Sequence, residues 1–391
     1  MPSLLKKRAN FKELDSLYNA FEKASKEVAG YPICQFFNYS KLFRFLKFHI
    51  NNLGDPFLKS WHYRINSLKI ERKVIDGFAK LFHAPANDYW GYVTNGGTEG
   101  NFYGLYIARE LYPEGIVFYS EESHYSVPKN IKLLRIPSVK IPSQPNGEMD
   151  YQALQNELMK RKKIIPILFA NIGTTMKGAV DDLVRMKEIL SDLKIKQYYI
   201  HCDAAFFGMI LPFIPEVEAQ PFDFRVGIHS IAVSGHKMIG TPIPCGVVLT
   251  KKSLVDRVGT KIEYTGSIDN TITGSRNGLS PLFLWYEMKC AQRKGFEKTI
   301  LLCIERAGYA LKKFSEAGIP AWRNKNSFIV IFPRPSEKLI RKWQLAVSGE
   351  IAHLITLPQV TPQVIDRLVG QVVSDAKRNR PSRKSLSTRM P

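Results

Sequence analysis

The chain has 391 residues, is 45% hydrophobic and carries a formal charge of +21 at pH 7. That length and apolar content suit a large domain plus a smaller one with a sizeable core, and exclude a disordered chain. No apolar run reaches the ~18 residues needed to span a bilayer as a helix, so no membrane-spanning helix is expected. The charge raises nucleic acid or an anionic membrane as partners, but the basic residues are spread along the chain, which favours a lysine-rich surface. Cys34, Cys202, Cys245, Cys290 and Cys303 are widely spaced with no CxxC pair. That fits a reducing cytoplasm and gives no reason to expect a disulfide framework or a metal site.

The first residues, MPSLLKKRANFKEL, are basic with no apolar signal core behind them, so secretion is not expected. Within residues 1–55 the stretch SKLFRFLKFHINNLGD sets Lys41, Arg44 and Lys47 at helical spacing among Leu42, Phe45, Leu46 and Phe48. Alone it has the pattern of a membrane-surface helix. The plainer expectation for residues 1–55 is an arm with helices that packs on the main body or on a second subunit. Residues 56–285 are expected to form a large domain. From about residue 88 the order is GYVT, the helical TEGNFYGLYIARELYPEG, IVFYS, a helix after His124, IPILFANIG, the helical DDLVRMKEILSDL, QYYIHCDAA, HSIAVSG and GVVLTKK. Short apolar strands alternating with helices predict an α/β fold with a mostly parallel sheet covered on both faces, and ligands bound beyond the carboxyl ends of its strands. Residues 286–375 read as a smaller α+β C-terminal domain: a long helix from PLFLWY to SEAG, SFIVIFPRP, a helix, AHLITLP and a last helix. Residues 376–391, rich in Lys and Arg, lack apolar periodicity and are expected to be a disordered basic tail.

The chemistry-bearing residues sit where strands are expected to end. Lys237, in IAVSGHKMIG, follows a β-forming run and stands between Gly235 and Gly240. A buried lysine there has a lowered pKa and a nucleophilic amine; a lone lysine is otherwise a solvated loop residue. Asp203 ends YYIHCD and is followed by Ala204 and Ala205. A carboxylate at the mouth of a buried strand needs a cation or donors, unless it serves only as a helix cap. In TNGGTEGN, Gly96 and Gly97 permit close backbone approach, and the amides of Gly97 and Thr98 open a helix whose positive end suits a phosphate. The glycine spacing matches neither a P-loop nor a dinucleotide fingerprint. His124, in SEESHYSV, offers a ring that can stack on another ring. Thr174 and Thr175, in NIGTT, offer strand-end hydroxyls. Each signal is weak alone. In chain order they supply a phosphate cradle, a stacking ring, a donor, a partner for a charged ring nitrogen and an imine-forming lysine.

These motifs resemble the group II pyridoxal-phosphate (PLP)-dependent decarboxylases, of the aspartate-aminotransferase fold type (fold type I), and within them the bacterial PLP-type histidine decarboxylases. The resemblance runs in order from about residue 50 to 370 through NNLGD, WGYVTNGGTEGN, HYSV, KLLRI, SQPNGE, NIGTT, GAVDDL, SGHKMIG, PIPCG, TITGSRNG, AWRNKNS and AHLIT. It implies that Lys237 carries the cofactor, Asp203 pairs with its ring nitrogen, His124 stacks on the ring and Ala205 lies on the other face. Gly97, Thr98, Ser234 and His236 would hold the phosphate, and Thr175 would contact the ring hydroxyl or the substrate. Ser275, in GSRNG, would reach the phosphate of a neighbouring subunit, with Arg276 ordering that loop. A cytoplasmic homodimer with its active site at the subunit interface follows from the resemblance, with a small amino acid as substrate and no metal, membrane or nucleic acid involved. The implied reaction is decarboxylation of L-histidine to histamine, with Tyr264 in EYTGSIDN as candidate proton donor and Lys237 and His124 as rivals. Plant serine decarboxylases are similar around INNLGDPF, PLFLWY and RKWQLA, so L-serine to ethanolamine is the alternative and aromatic amino acids come third. A non-catalytic polyanion-binding homologue is the reading from another class.

Overall fold

The computed structural model describes residues 11–35, 38–58, 63–161, 163–215, 221–256, 258–262 and 267–379. Seven strands make the central sheet: β1 Trp90–Thr94, β2 Ile116–Ser120, β3 Ser138–Ile141, β4 Pro166–Asn171, β5 Tyr199–Asp203, β6 Ser230–Ser234 and β7 Gly246–Thr250. Their spatial order is β1-β7-β6-β5-β4-β2-β3. β7 runs antiparallel to both β1 and β6, and the other pairings are parallel, so the sheet is mostly parallel as expected. The interior strands are buried end to end because helices cover both faces. The exception is β3, an edge strand whose sequence SVKI leaves Ser138 and Lys140 exposed; its four residues give no apolar run, and it is not anticipated by the sequence.

The helix Gly97–Leu111 crosses β5, β6 and β7 at short range. Its glycines make that possible. A Cβ at Gly100 would sit 2.8 Å from the Ala232 Cβ, and one at Gly104 would sit 2.1 Å from His201 Nδ1.

The smaller sheet is antiparallel: β8 Ile329–Pro333, β9 Ala346–Ser348 and β10 Ile351–Ile355, in the order β8-β10-β9. The helices Leu279–Glu316 and Pro362–Asn379 pack together, and the first also contacts β8. The long helix is not continuous as expected: at Gln292 (φ 52°, ψ −176°) it breaks into two segments. The last helix continues to Asn379, past the expected tail boundary at 375, and residues 380–391 lie outside the described residues.

The N-terminal arm holds a helix, Lys12–Ala24, none of whose residues is buried. SKLFRFLK forms a 3₁₀ helix over Ser40–Lys47 rather than an α-helix. Spacing of three among Lys41, Arg44 and Lys47 suits a 3₁₀ turn, in which i and i+3 eclipse. Its Leu42 packs with Tyr39 and Phe283. Between these helices the arm is tied to elements of both sheets: Ile355 N donates to Ala29 O at 2.8 Å, and Cys34 N donates to Lys237 O, just past β6, at 3.0 Å. Among the described residues, no helix is long and apolar enough to cross a membrane.

Candidate functional site

The carboxyl ends of the parallel strands converge on one cavity of about 610 Å³. β1 ends at Thr94, and the chain then passes through Gly96 at φ 144°, a backbone state open to glycine, before the helix begins at Gly97. A Cβ at Gly97 would lie 2.7 Å from Ser234 Oγ and 3.3 Å from the Ala205 Cβ. The helix start therefore rests directly on the ends of β5 and β6, with Thr98 open to solvent. β2 leads into the loop bearing His124, whose Nδ1 lies 2.8 Å from Ser126 Oγ.

β4 ends at Asn171, opposite Asp203 in the register of the sheet. The loop beyond it turns at Gly173 (φ 99°). Thr174 Oγ1 accepts from Ala179 N at 3.0 Å and so braces its own loop, which leaves Thr175 as the exposed hydroxyl on the cavity.

β5 delivers Asp203, which is 7% exposed. Its Oδ2 accepts from Asn101 Nδ2 at 2.7 Å and its Oδ1 from Ala205 N at 3.1 Å. β6 delivers Ser234, and the turn after it carries His236 and Lys237 into the same cavity. His236 Nδ1 lies 3.0 Å from Cys245 O and 3.3 Å from Cys245 N. Lys237 is half-buried. Burial holds its amine below the usual lysine range, opposed by the Asp203 carboxylate, which favours the charged form. Burial also lowers the His124 and His236 imidazoles, again against Asp203 in the case of His124.

Two expected residues stand apart. Tyr264 lies outside the described residues. Ser275 is exposed and does not line this chain's cavity; it sits in the short strand Ser275–Asn277, paired antiparallel with Asn51–Leu53, and its Oγ accepts from Asn51 Nδ2 at 3.1 Å. Its neighbour Arg276 is buried. Arg276 Nη2 donates to Glu71 Oε2 at 2.9 Å and Nη1 to Gly54 O at 3.1 Å, and its guanidinium lies 5.5 Å from the Tyr92 ring centroid. Glu71 in turn accepts from Asn52 Nδ2 at 2.6 Å and from Val93 N at 2.8 Å. This cluster locks the Ser275 strand to β1.

The cavity also takes in residues that the sequence reading passes over, among them Asn101, Asn171, Tyr125 and Ile272. Asn101 carries a signal, since it stands one helical turn after Gly97. Tyr125, 76% exposed with its ring 4.2 Å from that of His124, carries none.

The donor set fits pyridoxal phosphate. It offers an amine made nucleophilic by burial, a buried carboxylate already holding two donors, and a helix start with no room for a side chain at Gly97.

Comparison with known proteins agrees. Residues 59–319 match the pyridoxal-dependent decarboxylase conserved domain. A histidine decarboxylase from Morganella morganii is 50% identical over 366 residues, covering 93% of this chain and 96% of that one. A histidine decarboxylase from Vibrio anguillarum is 48% identical over 349 residues, 88% of this chain and 90% of its own. Among solved structures, L-methionine decarboxylase from Streptomyces sp.590 superposes with a TM-score of 0.85 at 27% identity, covering 93% of this chain and 95% of that one. The architecture is that of fold type I, as the motifs imply.

Proposed function

This chain belongs to the pyridoxal-dependent decarboxylase family, and from that premise we propose that it converts L-histidine to histamine and carbon dioxide. Histidine is favoured by the Morganella and Vibrio relatives, which carry that activity in their names and match along most of both chains. The observation that carries the reading is the meeting of Lys237 and Asp203 in one cavity, with burial holding the lysine amine below its usual range.

When bound, pyridoxal phosphate supplies an electron sink for the pair left behind as the carboxylate departs. The chain's own residues do the rest. Lys237 would hold the cofactor through its amine. Asp203 keeps a proton on the ring nitrogen. His124 and Ala205 would flank the ring, and Gly97, Thr98, Ser234 and His236 would hold the phosphate. Thr175 donates to the ring hydroxyl or to the substrate. The cavity wall would hold the substrate in a fixed orientation, and that orientation would set which of its bonds is open to cleavage. Tyr264 delivers the proton to the substrate carbon, with Lys237 and His124 as the competing donors. The protein works as a cytoplasmic homodimer. Ser275, exposed and away from its own cavity, serves the phosphate of the second subunit, with Arg276 holding its strand.

The test is direct. Purified protein given pyridoxal phosphate turns yellow, Lys237→Ala fails to retain that colour through dialysis, and carbon dioxide is released from L-histidine. Release from L-serine or an aromatic amino acid instead would reassign the substrate. A protein that stays colourless and leaves every amino acid intact overturns the reading.

A further inference from the structure

Strand β5 is polar on one face and apolar on the other. Alternation along the strand places Tyr199, His201 and Asp203 on the same face, the one covered by the helix Gly97–Leu111. His201 is paired in register with Ser230 of β6. All these groups are buried: Tyr199, His201 and Ser230 have no exposure, and Asn101 is 2% exposed.

Their hydrogen bonds can run in one direction only. Asp203 is acceptor-only when ionised, so Asn101 must present its NH₂ to it, at 2.7 Å. The Asn101 oxygen then faces His201 Nε2 at 2.9 Å, so that nitrogen carries the ring proton. His201 Nδ1 is thereby the acceptor, and Ser230 Oγ donates to it at 2.7 Å. Ser230 Oγ receives in turn from the Tyr199 hydroxyl at 2.9 Å. Reversing the chain would turn the Asn101 oxygen towards a carboxylate. Burial holds His201 neutral, with its pKa lowered to about 3, as a ring with one donor and one acceptor requires. Gly104 keeps the helix close enough for the contact, since a Cβ there would strike His201 at 2.1 Å.

We propose that Tyr199, Ser230, His201 and Asn101 form a one-way hydrogen-bond relay ending on Asp203, and that the relay fixes how this carboxylate is aimed and charged towards the cofactor. The proposal rests on the reading that Asp203 faces the ring nitrogen. His201, which touches neither cofactor nor substrate, is a positioning residue. The other charged groups acting on Asp203 in the cavity, Lys237 and His124, are left unchanged in the test.

The experiment compares the cofactor-loaded parent with His201→Phe, His201→Gln and Ser230→Ala. It reads the pH midpoint of the bound cofactor's visible band, the rate of cofactor loss, and kcat and KM separately. Phe keeps a ring but neither relay atom, whereas Gln restores one donor and one acceptor. His201→Phe should move the midpoint by about half a pH unit or more and lower kcat about tenfold at near-constant KM. It should also shed cofactor faster. His201→Gln should recover most of the loss, and Ser230→Ala should move the midpoint in the same direction by less. A role confined to packing would lower the unfolding temperature and leave the midpoint in place. His201→Phe with the parent's midpoint and kcat overturns the relay. If that variant does not fold, an unmoved midpoint in Ser230→Ala overturns it instead. A parent that takes up no pyridoxal phosphate defeats the functional reading and the relay with it, whereas uptake with His201→Phe unaltered defeats the relay alone.

Discussion

The floor of the cavity and the N-terminal arm are built on opposite terms. At the floor, polar groups are buried and matched: Asn101, His201, Asp203 and Ser230 are each at most 7% exposed, and each has a hydrogen-bond partner. In the arm, apolar groups are exposed and uncovered: Phe11, Leu14, Leu17, Tyr18 and Phe21 show 49–63% of their surface and fall on one side of a helix. A buried polar group left without a partner costs about 1–3 kcal/mol, so the floor is stable only if complete. An uncovered apolar stripe gains about 25 cal/mol for each Å² that something else buries. The floor is finished within one chain, whereas the arm helix leaves its apolar side chains exposed.

The contrast between buried and exposed groups breaks first at the buried ion pair that ties the Ser275 strand to β1. Arg276 and Glu71 have side chains 3% and 1% exposed. Arg276→Leu leaves the Glu71 carboxylate buried without its cation, and a stability loss of about 3–5 kcal/mol in urea unfolding is expected. A loss under about 1 kcal/mol would mean that water already reaches the pair, and that this part of the molecule is as open as the arm. Next comes Asp203→Ala, which should still take up cofactor but turn over about 100–1000-fold more slowly, a barrier increase of about 3–4 kcal/mol. Near-parental steady-state turnover in that variant would remove Asp203 from the reaction.

What could be read from sequence follows the same division. The interior strands are legible because each is a short apolar run between helices, and the chemistry-bearing residues are legible because they stand where those runs stop. β3 is not, since an edge strand need not be apolar on both faces. The relay is half legible: Tyr199, His201 and Asp203 alternate in YIHCD, but that Asn101 meets them depends on how closely the helix packs on β5. The break at Gln292 has no local mark, as neither proline nor glycine stands there. The arm helix has its periodicity in plain sight at Phe11, Leu14, Leu17, Tyr18 and Phe21, set among Lys12, Glu13, Asp15, Ser16 and Asn19. Ser275 shows the limit of one chain: it is exposed and does not line this chain's cavity, so the role proposed for it needs a second subunit to be tested.

A smaller effect sharpens the contrast between matched and unmatched surfaces. Gly104→Ala adds one methyl group 2.1 Å from His201 Nδ1, and a loss of about 1–3 kcal/mol is expected as helix and strand are forced apart. Gly308→Ala, also within a helix but with nothing within 4 Å of the added carbon, should instead gain up to about 1 kcal/mol from helix propensity. Opposite signs in thermal unfolding check the claim that close packing, rather than glycine as such, shapes the floor. Equal signs refute it.

The smallest effect on the folded chain itself lies in the arm. Leu14 and Phe21 are 60% and 63% exposed, so replacing both with serine removes almost no contact within one chain. The unfolding free energy of a dilute, dissociated protein should therefore stay within about 0.5 kcal/mol of the parent. Association is a different matter, because an apolar face that meets a second copy contributes only when it is covered. The parent should sediment as a dimer, and the double variant should dissociate at higher protein concentration. Turnover should fall with dissociation, because Ser275 could then no longer reach the other subunit's cavity. If the variant remains as dimeric and as active as the parent, the arm is covered by something other than the second subunit.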